Sequence, residues 1–236
     1  MQVPHHVYVD GVGRLWVPDY HNSRVLRFDN AAAKANGANA DGVLGQPGFG
    51  TNTIATTQSG MQNPIGVTGD PEGRLYVTDA NNHRLLVFNN AASLGNGANA
   101  SNVLGQPDFT SGAANNGGVS ATSFNFPQRL FFDSASYSLF VAEFNNNRVK
   151  RYTIMPPAGG PCATPQFIPV VSYALAGGGG SAAARDFNND GKLDFVTANI
   201  GGDNATVALG NGSGGFPTLS TVSVGDGPGQ VVVADF

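Results

Sequence analysis

Charge is scarce in this 236-residue chain: Lys, Arg, Asp and Glu together make up 12% of it. The 12 basic residues are scattered and are outnumbered by 16 acidic ones, leaving a net charge of -4. A nucleic-acid groove, which needs clustered cations to displace counterions from phosphates, is therefore not expected. The one cysteine, Cys162, has no partner for an internal disulfide and no companion thiols for a zinc site, so it reads as an incidental thiol in a linker. No apolar run approaches the roughly 20 residues that cross a bilayer, and no membrane span is expected. The opening MQVPHHVYVDG lacks a basic stretch followed by an apolar one, so an export signal would have to lie upstream of this chain.

What the chain has in quantity is turn formers, with 33 glycines and 14 prolines beside many Asn, Ser and Thr residues. Such a composition suits tight turns between short strands better than long helices, which points to an all-β fold. The length suffices for one large β domain or two smaller ones.

Internal repetition dominates the sequence. VPDYHNSRVLRF at 17–28 recurs as VTDANNHRLLVF at 77–88 and as VAEFNNNRVKRY at 141–152, offset by 60 (17 to 77) and 64 (77 to 141). Pro4, Pro64 and Pro127 open the units, Gly13-Arg14-Leu15 matches Gly73-Arg74-Leu75, and NGANADGVLGQPGF at 36–49 matches NGANASNVLGQPDF at 96–109. Alternation on both sides of a polar turn predicts a β-hairpin over each core segment. A strand near 6–10 and another near 43–45 bring the first unit to four, the anatomy of a propeller blade. A four-stranded sheet cannot cover both of its faces alone, so each unit needs a stacked neighbour.

The pattern Pro, then Gly-Arg-Leu-Tyr-Val-x-Asp, then Asn-x-Arg-Val-Leu-x-Phe resembles the NHL repeat over 1–63, 64–126 and 127–153. The resemblance implies β-propeller blades of four antiparallel strands, commonly with a binding role, and the VLGQP segment looks like a feature of bacterial repeat arrays of this kind. TIMPPAGGPCATPQFIPV, rich in Pro and Gly, marks 154–170 as a linker.

A second periodicity starts beyond it. SAAARDF at 181–187 aligns with QVVVADF at 230–236, an offset of 49 (181 to 230). Asp186, Asn188, Asp190 and Asp194 place side-chain oxygens at positions 1, 3, 5 and 9 of a loop, and Lys192 at position 7 would offer its backbone carbonyl. Calcium takes six to eight such oxygens at about 2.3–2.6 Å, and Gly191 permits the bend. Thr197 stands at position 12, where a helical EF-hand has glutamate, and a strand-like run, Phe195 to Ala198, follows at once. A calcium loop between strands resembles the FG-GAP or VCBS repeat of integrin-type propellers, with LGNGSGGF at 209–216 as its glycine-rich turn. The plainer alternative is a hydrophilic hairpin turn, since Asp, Asn and Gly favour turns. The repeat types and the break at 235 lead us to expect an incomplete propeller from a larger bacterial repeat protein, with 171–236 forming the FG-GAP-like portion.

His21 and His83 align with Asn or Ser in other units, which makes them turn residues, and His5 and His6 align with Ile65 and Gly66. Asp19, Asp79 and Glu143 recur with Arg24, Arg84 and Arg148 at each hairpin turn. A charge pair repeated in every unit is suited to fixing turns, whereas catalysis needs one asymmetric constellation. The glycine run 177–180 precedes a strand-like segment and reads as a solvated turn, not a phosphate cradle. No catalytic or cofactor-binding residues are assigned. The expectation is a non-enzymatic binding or scaffold module of a secreted or cell-surface protein, stabilised by calcium, with a protein or carbohydrate ligand. The alternative is part of a metal-dependent lyase or lactonase, which the NHL resemblance also implies.

Overall fold

The computed structural model describes residues 1–155 and 166–233, and is all-β with short 3₁₀ turns. Cys162 and Asp235 lie outside the described residues. The chain divides into two compact units, Met1–Pro127 and Gln128–Phe236.

The first unit holds two four-stranded antiparallel sheets in sequential order. Sheet one is β1 (Tyr8–Val9), β2 (Leu15–Asp19), β3 (Arg24–Phe28) and β4 (Gly42–Leu44). Sheet two is β5 (Pro64–Gly69), β6 (Leu75–Asp79), β7 (Arg84–Phe88) and β8 (Asn102–Leu104). Val17 pairs with Leu26 and Val77 with Leu86, so the two hairpins share one register. Each turns through a 3₁₀ turn, Tyr20–Asn22 or Ala80–Asn82, that ends in a left-handed residue, Ser23 (φ 49) or His83 (φ 51).

The sheets stack as the repeat logic requires. Trp16, Val25 and Leu44 of the first sheet and Met61 share one core with Val67, Leu75, Val77, Leu86 and Phe88 of the second. Burying each such side chain contributes about 1.5–3 kcal/mol. A single sheet would leave that surface wet.

The second unit repeats the arrangement. Its first sheet is β9 (Pro127–Asp133), β10 (Ser138–Glu143), β11 (Arg148–Met155) and β12 (Gln166–Ala174), and its second is β13 (Gly179–Arg185), β14 (Asp194–Asn199), β15 (Asn204–Leu209) and β16 (Thr218–Ser223). Val141 faces Lys150, the pairing seen at Val17 and Val77. Phe140, Tyr173, Phe195 and Phe216 form an aromatic core, with Phe195 and Phe216 at 4.8 Å and Tyr173 and Phe216 at 5.0 Å in edge-on contact. Edge-on rings bring the positive rim of one over the negative face of the next.

Two expectations change here. The described ends of the expected linker 154–170 are strand: Ile154 pairs with Phe167 and Thr153 with Ile168, so Pro169 sits in an outer strand, where a missing N–H is tolerated. Residues 156–165 of it fall outside the described chain. Gly178–Gly180 are buried, not a solvated turn, because they are sites of close approach: a Cβ on Gly178 would strike the Phe144 ring at 2.7 Å.

Candidate functional site

The acid and base that recur at each hairpin are cross-strand partners at the mouth of the turn. Asp19 faces Arg24, Asp79 faces Arg84 and Glu143 faces Arg148, with Nε to carboxylate distances of 2.9, 2.7 and 2.6 Å. Asn22, Asn82 and Asn146 donate to the same carboxylates, which gives the Asn-x-Arg spacing its physical meaning. The backbone N–H groups of Gln2 and Gln62 donate to Asp19 and Asp79 at 2.5 and 2.6 Å. Burial opposes ionisation of Asp19, but the bonds from Gln2, Asn22 and Arg24 outweigh it and hold the carboxyl below its ordinary range. In the fourth sheet the amides Asn199 and Asn204 take these places, joined by a 2.7 Å hydrogen bond. These groups lock turns.

The VLGQP segment is a second lock. Gly45 and Gly105 have left-handed φ values of 88° and 93°, and a Cβ on Gly45 would meet the Ser23 carbonyl at 2.9 Å and the Met61 sulfur at 3.0 Å. The Gln46 amide donates to the carbonyls of Ser23 and Thr53 and accepts from Thr53 N–H. Gln106 likewise donates to His83 and Ala113. The motif thus ties the left-handed turn residue to the returning excursion.

The acidic loop lies between β13 and β14, flanked by strands. The backbone N–H of Asp190 donates to Asp186 Oδ1 at 3.2 Å and to Asn188 Oδ1 at 3.1 Å. Gly191 N–H reaches Asp186 Oδ2 at 2.8 Å, and Lys192 N–H reaches Asp190 Oδ1 at 2.9 Å. A carboxylate or amide oxygen has two lone pairs, so these bonds fix the oxygens from behind. The Lys192 ammonium closes the front, 3.1 Å from Asp190 Oδ2, and its hydrogen bond, against slight desolvation, holds the Asp190 carboxyl below its usual range. Asp194 is placed differently: fully buried, it accepts Phe187 N–H on one oxygen and Gly210 N–H on the other, both at 2.8 Å. The structure therefore gathers Asp186, Asn188, Asp190 and Lys192 and turns Asp194 inward. Among the described residues no three His, Cys, Asp or Glu side chains converge closely enough to hold an ion in this arrangement.

Beside the loop, a cleft of about 390 Å³ is lined by Asp133, Ser136, Arg151, Lys192, Ser213 and Phe216. Arg151 is held there by Ser138 Oγ and the Gly214 carbonyl. Arg27, its counterpart in the first sheet, donates to the Ala92 carbonyl, so this arginine too is an inter-sheet strut. The histidines are spoken for locally: His6 Nδ1 accepts Val67 N–H, His83 Nδ1 accepts Phe126 N–H, and the rings of His5 and His21 pack on Tyr20. Sequence reasoning missed Lys150, a buried cation where the first two units have Leu26 and Leu86. Its Nζ lies 3.8 Å from Glu143, yet burial, aided by Arg148, pushes its pKa down to about 7. The departure from leucine at an otherwise repeated position was its only signal.

The NHL repeat family matches residues 61–88, and the FG-GAP-like repeat family matches 164–236. The chain carries both repeat types. Among curated proteins none matches it. Among solved structures, the periplasmic gluconolactonase of Pseudomonas aeruginosa superposes with a TM-score of 0.63 at 18% identity, over 95% of this chain and 55% of that one. A chain of the nidogen/laminin complex gives 0.60 at 13%, over 99% and 69%, and a virginiamycin B lyase from Staphylococcus aureus gives 0.52 at 13%, over 93% and 55%. These likenesses establish the β-propeller fold of the NHL and FG-GAP-like blades. The chain spans just over half the length of the gluconolactonase and the lyase.

Proposed function

We propose that this chain is a binding or scaffold module of an exported repeat protein, and that the loop 186–194 of its FG-GAP-like sheet binds calcium. The observation that carries the reading is the loop itself, in which the oxygens of Asp186, Asn188 and Asp190 sit on one short turn, each steadied by backbone N–H groups. Their remaining lone pairs, with the Lys192 carbonyl, are a hard-oxygen set of the kind calcium takes. Asp194 serves as the anchor beneath the loop. Binding requires the Lys192 ammonium to leave Asp190, an exchange of one exposed cation for another. Extracellular modules bind calcium in roughly the 10⁻⁴–10⁻³ M range, which suits an exposed loop with few carboxylates. A scaffold role is further supported by the recurrent charges, which are engaged in turns and inter-sheet struts.

Calorimetric titration with calcium tests the proposal, with Asp190→Ala as control. Saturable heat from the parent protein, lost in the variant, is expected, and calcium at 100 times Kd then stabilises the fold by about 2.7 kcal/mol. Absence of saturable heat from the parent ends the calcium reading.

A further inference from the structure

A chain of ion pairs that runs through the first sheet is interrupted in the third. Leu15 faces Phe28 and Leu139 faces Tyr152, which makes Ser138 the counterpart of Arg14 and Thr153 that of Asp29. In the first sheet Asp10 pairs with Arg14 at 3.0 Å, Arg14 with Asp29 at 3.6 Å, and Asp29 with Arg27 at 3.0 Å. In the third sheet neutral Ser138 and Thr153 replace the two inner members, while Asp133 and Arg151 keep the acid and the base at the ends. Neither of these takes part in an ion pair among the described residues. The groove beside the chain widens with the loss. Arg27 donates to the Ala92 carbonyl as Arg151 donates to the Gly214 carbonyl, so the groove at Asp10, Arg14 and Ala92 corresponds to the cleft at Asp133, Arg151 and Gly214. The first holds about 40 Å³ and the second about 390 Å³. Where Arg14 lines the one, the short Ser138 leaves the other open, within the roughly 300–1,000 Å³ of small-molecule pockets.

We propose that this cleft, between the third and fourth sheets, binds a sugar acid, a ring that carries a carboxylate beside hydroxyl groups. Arg151 supplies the cation. A guanidinium has five N–H donors, of which Ser138 Oγ and the Gly214 carbonyl take one each, and a ligand carboxylate accepts from those that remain. Lys192 adds a second positive charge, its stem lying along Gly212, where a Cβ would stand 3.3 Å from Lys192 Cδ. Asp133 supplies the acceptor. Its Oδ2 takes the N–H and hydroxyl of Ser136 at 2.8 and 2.5 Å, whereas Oδ1 has only a long bond, 3.4 Å, from Ala135 N–H. A carboxylate so engaged has room for a ligand hydroxyl but not for the three donors of an ammonium, which favours a sugar acid over an amino acid. The Ser213 hydroxyl at the exposed rim completes the polar lining. Such a site deepens the binding role proposed above, on which it rests, and does not require calcium in the loop 186–194.

Titration of the whole chain with D-glucuronate in chelator, followed by amide NMR shifts, tests the site apart from the calcium loop. The amides of Gly212, Ser213 and Gly214 and the Arg151 Nε–H are expected to shift together with a Kd of about 1 mM, an ordinary ligand efficiency over about 13 non-hydrogen atoms. Glucose, which lacks the carboxylate, should bind at least about 10-fold more weakly, the worth of one hydrogen bond to a charged group. Arg151→Met should weaken glucuronate by the same factor. Because Arg151 also ties the two sheets, Ser213→Glu provides an independent check: it adds a negative charge at an exposed position, keeps every contact of Arg151 and should weaken binding by about 10-fold as well. No saturable shift up to about 20 mM glucuronate, or shifts confined to residues away from the cleft, overturns the proposal. Glucose as tight as glucuronate overturns the role of Arg151, and serine or inorganic phosphate tighter than glucuronate overturns the sugar-acid assignment.

Discussion

Arg84 and Asp79 meet at 2.7 Å with neither side chain reached by solvent. Such a pair gives up several kcal/mol of hydration per ion, so its net contribution is small, but removing one partner strands the other. Arg84→Ala is therefore expected to cost about 3–5 kcal/mol in urea denaturation. Arg24→Ala should cost less than half of that, because the Arg24 side chain is 11% exposed and water can reach the abandoned Asp19. Arg84→Lys should recover little, since an ammonium cannot reproduce the fork that also holds three carbonyls. Equal losses for Arg84→Ala and Arg24→Ala would show that burial does not set the cost.

Lys150 makes the stability of the second unit depend on pH. Its folded-state pKa is pushed down to about 7, against roughly 10.4 in the unfolded chain. Between those values the unfolded chain carries a proton that the folded one lacks, so stability rises as pH goes from about 7 to about 10. Lys150→Leu, which installs the residue of the other two repeats, should abolish this rise and stabilise the protein at pH 7 by about 1–4 kcal/mol, with Glu143 still paired to Arg148. Denaturation curves at pH 7, 8.5 and 10 check it, and parallel pH profiles for parent and variant would refute it.

Much of this was legible in the sequence. The hairpins, their common register and the pairing of Asp19 with Arg24 followed from alternation and from an offset that keeps like residues opposite. The fourth sheet was harder because Asn199 and Asn204 replace the charge pair, leaving only the turn length as a trace. Strand β12 was hidden by flanking prolines, which read as a linker although an outer strand admits them. Spacing placed Asp194 in the loop but could not show that its carboxylate turns inward, because that depends on Gly210, 16 residues away. Close approach also leaves no local mark, which is why Gly178–Gly180 read as a solvated turn.

Asp190 and Asp194, four residues apart, should respond differently to calcium. Asp194→Ala leaves two partly buried N–H groups, those of Phe187 and Gly210, without their acceptor and should cost about 1–3 kcal/mol with or without the ion. Asp190→Ala should change little in chelator and lose only the stabilisation that calcium adds. Lys192→Met removes the competing cation and should tighten calcium binding several-fold. Thermal melts in chelator and in millimolar calcium separate the three, and an Asp194→Ala loss confined to calcium would make that residue a ligand instead of an anchor.

Gly45 and Gly50 pose the same substitution in opposite surroundings. At Gly45 the left-handed φ of 88° strains any L side chain, and a new methyl group would press on the Ser23 carbonyl and the Met61 sulfur. Met61 is sealed between the first two sheets and cannot move without opening a gap, so the strain and the overpacking add. Gly45→Ala should therefore destabilise by about 2–4 kcal/mol. A Cβ on Gly50 meets nothing, and Gly50→Ala should be neutral or slightly stabilising by restricting the unfolded chain. Gln46→Ala should fall between them, at about 1–3 kcal/mol, because it leaves Thr53 N–H and the Ser23 carbonyl unsatisfied in a partly buried site. Urea denaturation of the three variants gives the order directly, and a Gly45→Ala protein as stable as Gly50→Ala would mean that the VLGQP glycine is not held by the contacts around it.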